Sequence, residues 1–298
     1  MGKPGGSSGR TKPSHRRPEL VDLHLHSNAS DGVDSPTRLV ELAAEAGVAT
    51  MALMDHDTLA GIVEAREAAH SHDIEFISGT ELSVDHRGTK MHMLVYFLEP
   101  GGGPLQDKLE WLRHERSVRN TQIIKNLNEL GYEISIDDVL RHAKGPSVGR
   151  PHIADALVEQ GVFETRNDAF ANLLNDGGAG YAERSRLDAV EAVELARASS
   201  AVPVIAHPAT IGYNRTEYAE AFRTLANAGL GGIEAHHSLH DIPLRESLTA
   251  TAHRLGIAAT GGSDFHGDSK REYRIGVGTG DLRVPLSAVD ELRAQLDR

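Results

Sequence analysis

The sequence has no cysteine among its 298 residues, which excludes disulfides, thiolate nucleophiles and cysteine-ligated zinc or iron–sulfur sites. Any bound metal must therefore take nitrogen and oxygen ligands. No apolar run approaches the roughly 18 residues of a bilayer span, and the basic N-terminal stretch lacks the apolar residues of a secretory signal. A cytoplasmic protein without membrane contact is expected. Positive charge is also scarce: 31 Lys and Arg face 43 Asp and Glu, a formal net charge of -12. That balance argues against a surface that coats nucleic acid, while leaving room for a local phosphate site. Histidine, by contrast, is plentiful at 17 residues, and the 39% hydrophobic content is enough for one sizeable core.

Residues 1–18 (MGKPGGSSGRTKPSHRRP) mix Gly, Ser, Pro and basic residues without periodicity, the composition of a disordered tail. From Glu19 onward short apolar runs alternate with helical text, as in βα units around a parallel sheet. Strands are expected at 20–25, 50–54, 75–78, 90–97, 202–206, 232–235 and 257–261, and seven strands suggest barrel-like closure. Between the fourth and fifth of these, residues 101–200 read almost wholly as helix, broken at Gly131, Gly145/Pro146, Gly161 and 175–180. This is too long for a barrel crossover. Residues 104–182 are expected to form an inserted helical subdomain, 187–199 a helix returning to the barrel, and 19–103 with 183–298 the barrel itself.

Chemistry-bearing residues gather where the strands end. His24 and His26 lie two apart on an apolar strand, so both imidazoles share a face, and Asp31 follows in an Asp-Gly turn. The second strand ends in Asp55-His56-Asp57, the third in Gly79-Thr80-Glu81, and the fourth carries His92. The fifth ends in His207-Pro208, and the seventh runs out through Asp264 and His266, again two apart. Such a distribution is where barrel enzymes place their active sites. A lone buried histidine is more often a hydrogen-bonded core residue. Nine such groups (His24, His26, Asp31, His56, Glu81, His92, His207, Asp264 and His266) would instead crowd unpaired polar atoms into one barrel mouth unless a metal cluster compensated them.

The segments HLHSNASDG, MDHDT, GTELS, IAHP and GGSDFHG, in this order, resemble the polymerase and histidinol phosphatase (PHP) family, in particular its stand-alone bacterial phosphoesterases. The resemblance spans roughly residues 19–280. It implies an α/β fold, a distorted seven-stranded (β/α) TIM-like barrel, holding three divalent ions (manganese, iron or zinc). By this resemblance His24, His26, Glu81 and Asp264 hold the first ion. Glu81 bridges to a second bound by His92 and His207, and Asp31, His56 and His266 hold the third. All nine positions carry ligand-type residues, the mark of an active member. The insertion resembles the same subgroup through GRPHIA at 149–154 and Gly180-Tyr181, where it covers the metal site. Arg116, Arg150 and His152 are thereby candidates for phosphate contacts. Arg113, Arg116 and Arg119 also fit a solvated helix face, and Arg150 with His152 a helix cap. The sixth strand end, EAHH at 234–237, and ATIGYNRTEY after His207 depart from the relatives, which bears on the substrate and not on the chemistry. His237 is a candidate for substrate contact and catalysis, and His237 and Asp55 are the candidates for a general acid.

The expected reaction is hydrolysis of a phosphate monoester by a metal-activated hydroxide, with Glu81 and Asp264 at its centre. The substrate by resemblance is a nucleoside 3′,5′-bisphosphate or monophosphate. The alternative is a 5′-to-3′ exonuclease on short RNA. An amidohydrolase shares HxH on its first barrel strand but needs a strand-borne lysine or a further bridging residue, and a non-catalytic metal or nucleotide sensor is the other class. A histidinol-phosphate phosphatase is disfavoured by the long insertion, and no protein partner is implied.

Overall fold

The computed structural model describes residues 19–213, 215–267 and 272–298, with Arg215 and Thr216 as backbone alone. The expected tail at 1–18 lies outside the described residues. The first half alternates β1 (Leu20–Leu25), α1 (Pro36–Ala46), β2 (Val48–Leu53), α2 (Ile62–Ser71), β3 (Glu75–Ile77), β4 (Gly79–His86) and β5 (Thr89–Tyr96). Helices α3 (Pro104–Glu129), α4 (Ile136–Leu140), α5 (Arg150–Glu159) and α6 (Arg166–Ala169) follow, with a π-turn at Phe170–Leu174. The chain returns through β6 (Leu187–Asp188), α7 (Ala189–Ala198), β7 (Val202–Ile205), α8 (Arg215–Ala228), β8 (Gly232–His236), α9 (Ile242–Leu255), β9 (Ala258–Gly261) and α10 (Ser287–Arg293).

Local sequence explains the boundaries. Ser35 accepts the Arg38 N–H at the start of α1, Pro36 supplies a first residue that needs no donor, and Gly47 ends the helix at φ 83. The third expected strand is in fact two. After β3 the chain continues into β4, which pairs antiparallel with β5 around Arg87 and Gly88, both at positive φ, the signature of a two-residue hairpin whose twist matches its strands. Glu81 therefore sits inside a strand and not at its end, and β5 runs against its neighbours β4 and β7, so the sheet is mixed and not wholly parallel.

The strands form a three-stranded sheet, β1-β2-β3, and a six-stranded sheet, β6-β4-β5-β7-β8-β9. The expected closed barrel is not formed by continuous ladders. The sheets meet at two seams through single bridges, Leu25 to Phe265 and His56 to Glu81. At these seams the backbone leaves the extended conformation: Asp57 has φ 54 and Asp264 φ 56, while the Asp57 N–H still donates to Glu81 O at 3.1 Å and the Asp264 N–H to His24 O at 2.9 Å. Leu23, Met54, Leu94, Tyr96 and Val204 fill one buried cluster between the sheets. The helical stretch has a core of its own around Ile123, Leu127, Ile153, Leu157 and Leu174. Among the described residues no helix is long and apolar enough to cross a membrane.

A buried carboxylate reinforces the β1–β9 seam, where the backbone bonds His26 N–H to Phe265 O and Asp264 N–H to His24 O span the two segments. Asp22 on β1 accepts the N–H of Ser263 at 2.9 Å and of Gly276 at 2.7 Å, tying the strand to the chain that follows β9. Burial raises its pKa and these hydrogen bonds oppose that rise. Asp22→Ala would leave both N–H groups unsatisfied, and we expect a loss of about 2 to 4 kcal/mol in stability by urea denaturation. Wild-type stability in that variant would show that the seam holds without the carboxylate.

Candidate metal centre

The nine residues picked out by the sequence converge. Glu81 lies at the middle, almost wholly buried. His24 Nε2 is 3.2 Å from Glu81 Oε2 and His26 Nε2 3.1 Å, while His92 Nδ1 and His207 Nε2 stand 2.8 and 3.0 Å from Oε1. Asp264 Oδ1 lies 3.7 Å from His24 Nε2 and 3.5 Å from His26 Nε2. On the other side Asp31 faces His266 Nε2 at 3.4 Å and His56 Nε2 at 3.8 Å. Three donor groups suited to a metal ion result: His24, His26, Glu81 and Asp264; His26, Asp31, His56 and His266; and His56, Glu81 and His92. The first matches the expected set. The other two differ: His26 joins Asp31, His56 and His266, and His56 stands beside Glu81 and His92 where His207 was expected.

The chemistry of this donor set fits divalent cations. His24 Nε2 and His26 Nε2 face each other at 3.0 Å, an arrangement suited to lone pairs turned to a common centre. Burial, reinforced by the neighbouring His266, pushes His26 down to about 3, and burial pulls His92 to about 4, so both rings are neutral at neutral pH, the form in which an imidazole can bind a cation. Burial alone would raise Asp31 and Glu81. The surrounding imidazoles outweigh it and hold both carboxyls well below their usual range. His26 Nδ1 and His56 Nδ1 are buried without a hydrogen-bond partner, a cost that cation binding nearby would relieve.

The strand ends that carry these groups are held from behind. Glu234 on β8, fully buried, takes the Nδ1 side of His24 at 2.8 Å and accepts the backbone N–H of His207 at 2.6 Å. It thereby turns Nε2 of His24 to the centre and fixes His207, whose φ of 24 is strained. Burial would raise the Glu234 carboxyl, yet His24 and His237 bring it down to about 2. Asp55, a general-acid candidate, accepts from Ser27 N–H at 2.8 Å and from the hydroxyls of Ser27 and Ser30, each at 2.6 Å. Burial pushes it up to about 6, but its oxygens are occupied in shaping the turn after β1, so the structure assigns it no acid role.

A cavity of about 590 Å³ opens above the centre. Its floor includes Asp31, His56, Glu81, His92, His207, Asp264 and His266, and its far wall is helical, with Arg116, Arg119, Arg150, Arg184 and Arg186. His24, His26 and His237 lie fully buried below that floor. His237, expected to contact substrate, does not border the cavity; its Nε2 is 3.9 Å from Asp264 Oδ2 and has no hydrogen-bond partner. His152 is likewise withdrawn: its Nδ1 accepts the N–H of Gly149 at 3.0 Å and caps α5. Arg150 borders the cavity and reaches Leu174 O at 2.8 Å and Asp176 at 3.3 Å.

The link between floor and wall was not legible in the sequence. Asp57, one residue past His56, accepts on a single oxygen from Nε and Nη2 of Arg116 and from Nη1 of Arg184, while Arg113 donates to its backbone carbonyl at 3.0 Å. Burial acts to raise the Asp57 carboxyl, and the two guanidiniums overcome it. Arg184 and Arg186, spaced two apart in an irregular stretch, carried no periodicity to mark them. Lys90 is the strand-borne lysine that sequence reasoning did not place. Its ammonium is taken by Asp176 at 2.6 Å, Glu183 at 2.7 Å and the Tyr181 hydroxyl at 2.9 Å, so it turns to the helical wall and not to the histidines.

The PHP domain family matches residues 22–166. A 3′,5′-nucleoside bisphosphate phosphatase of Chromobacterium violaceum is 30% identical over 86% of this chain and 90% of its own. A 5′-3′ exoribonuclease of Haemophilus influenzae is 33% identical over 82% of this chain and 89% of its own. Among solved structures, a protein of Bifidobacterium adolescentis described as a candidate metal-dependent phosphoesterase superposes with a TM-score of 0.84 at 31% identity, covering 94% of this chain and 98% of that one.

If Glu234 orients His24, Glu234→Gln should weaken metal binding about 10- to 100-fold, read by competition with a chelating indicator on folded protein. His253→Ala, which removes a ring paired with Glu291 at 3.2 Å on the surface, should leave that affinity intact. Equal affinities for Glu234→Gln and wild type would remove Glu234 from the support of the centre.

Proposed function

The chain belongs to the PHP domain family, and on that premise we propose that it hydrolyses phosphate monoesters of nucleotides, either nucleoside 3′,5′-bisphosphates or nucleoside monophosphates. The observation that carries this reading is a single cavity whose floor joins carboxylates to imidazoles and whose wall is lined with arginines. The finer reading of the fold goes with it. Counting β3 and β4 as one and setting aside the two-residue β6, the strands make a distorted seven-stranded (β/α) barrel of residues 19–103 and 183–298, with 104–182 as an inserted helical subdomain over its mouth.

His24, His26, Glu81 and Asp264 would hold one divalent ion, Glu81 with His92 and His207 a second, and Asp31, His56 and His266 a third. Manganese, iron or zinc bound there would supply Lewis-acid stabilisation of phosphate oxygens and bring a bound water near neutral pKa. The chain's own part is to bind and to orient. Glu81 offers both oxygens to separate groups of imidazoles and so sets their spacing. Asp264 closes the first set. Arg116 and Arg150 face the cavity and bind the anionic substrate, Arg116 in a position set by Asp57. Such fixed donors stabilise charge on phosphate oxygens without reorganisation.

A 5′-to-3′ exonuclease on short RNA would use the same centre, and the net charge of -12 weighs toward the smaller substrate. Lys90, the one strand-borne lysine among the described residues, has its ammonium committed to Asp176 and Glu183, which weighs against the amidohydrolase reading.

Phosphate release should appear in a screen of nucleoside monophosphates, 3′,5′-bisphosphates and short oligoribonucleotides with manganese, vanish with a chelator and return with metal. Release from none of them, or hydrolysis of C–N bonds instead, would overturn the reading. Glu81→Gln should lower kcat by at least about 100-fold and also reduce metal per chain. Near wild-type turnover in that variant would remove Glu81 from the centre.

A further inference from the structure

The turn that delivers Asp31 is gripped from two sides. Ser27 O closes it by accepting the N–H groups of Ser30 and Gly32 at 3.1 and 3.0 Å, and Asp55 holds one side of it through Ser27 and Ser30. On the other side it meets the helical stretch at Gly145, between α4 and α5. A Cβ on Gly145 would lie 2.3 Å from both Cα and O of Ala29, far inside van der Waals contact, so only glycine lets the two backbones approach this closely. Ala29 is buried, and its carbonyl accepts the N–H of Ser147 at 3.4 Å. The segment after Gly145 is fixed to α3 in turn, where Asn120 donates from Nδ2 to Val148 O at 2.9 Å. The helical stretch also touches the floor at Asp57, which Arg116 and Arg184 clasp one residue past His56.

Both contacts fall beside members of one donor set, His26, Asp31, His56 and His266. Asp31 lies in the turn itself and His56 just past the end of β2, so neither is held within a continuous ladder. Asp31 stands 3.4 Å from His266 and 3.8 Å from both His26 and His56, and a small displacement of the turn changes whether one ion can reach all four. We propose that Gly145 is a positioning residue that seats the helical wall on the Asp31 turn, so that binding of a divalent cation at this donor set and closure of the wall over the cavity form a single coupled equilibrium. Such coupling is reciprocal. A wall seated at Gly145 holds Asp31 in place for the cation, and a bound cation holds the turn on which the wall seats. A larger side chain at Gly145 forces one of the two to move, because Asp55 blocks the far side of the turn. The inference rests on the metal-centre reading and adds to it that the helical stretch, which supplies no member of this donor set, tunes its affinity.

Hydrogen exchange on the full chain, read by mass spectrometry with manganese or with a chelator, follows the wall directly. Manganese should slow exchange in residues 143–149 by at least about fivefold, the lower end of ordinary two-site coupling, although that segment contains no His, Asp or Glu. Exchange in α10 should not change, and equal slowing there would make the effect global and overturn the coupling. Gly145→Ala should weaken manganese binding by at least about tenfold, measured by competition with a chelating indicator, and should lose the protection of 143–149. Gly102→Ala, where a Cβ meets nothing within 4 Å, should bind manganese as wild type does. Phosphate release from nucleotides, measured alongside, separates the two readings. A wild type that binds manganese and releases phosphate while 143–149 does not respond, or a Gly145→Ala variant with wild-type manganese affinity, overturns the coupling and leaves the phosphoesterase reading standing. A segment that responds in a protein that hydrolyses no substrate upholds the coupling and overturns that reading. A wild type that takes up no manganese overturns both. If Gly145→Ala does not fold, the exchange of 143–149 in wild type decides.

Discussion

The carboxylate of Glu81 stands within 3.5 Å of ring nitrogens from five histidines, His24, His26, His56, His92 and His207. These rings come from β1, the end of β2, β5 and the end of β7, so one acidic group gathers both sheets. Neither it nor the rings could be buried alone. An ionised carboxylate without partners in a protein interior is strongly unfavourable, and so is a set of imidazoles with unmet nitrogens. Their mutual presence makes each tolerable, and divalent ions would complete the compensation.

A second tie couples the centre to the helical stretch above it. His56 and Asp57 are adjacent, yet they serve opposite sides: the imidazole faces Glu81 and Asp31, while the carboxylate holds Arg116 on α3 and Arg184 beyond the π-turn. The left-handed backbone at Asp57, φ 54, permits this divergence. Charge on the cavity wall is consequently arranged by a residue on the same short segment that shapes the floor. The acidic surface of the protein does not prevent a locally cationic cavity, because the low-dielectric surroundings give nearby groups more weight than the distant net charge.

Much of this was legible in the chain. Alternating apolar runs placed most strands within a few residues, the Ser35, Pro36 and Gly47 signals bounded α1, and paired histidines or carboxylates two residues apart marked the face that meets the centre. The hairpin of β4 and β5 was missed because the apolar text of residues 79–86 was interrupted by Glu81 and Asp85, which a strand buried on one face tolerates only when partners wait across the fold. His237 was read as a substrate contact from its place at the sixth strand end and His152 from the resemblance of GRPHIA, with a helix cap as its alternative; packing buries the first beneath Asp264 and commits the second to the backbone N–H of Gly149, the cap.

By itself the sequence determined the donor types, their local spacing and the exclusion of sulfur chemistry, because these depend on composition and on the two-residue repeat of a strand. Only the tertiary structure decided which donors share a centre, that Glu234 stands behind His24 and His207, that Asp57 is claimed by arginines more than fifty residues away in the chain, and that Gly145 lies against the turn that carries Asp31. Those outcomes rest on distances between segments remote in sequence. No local pattern encodes them, since burial and pairing arise only when the elements pack.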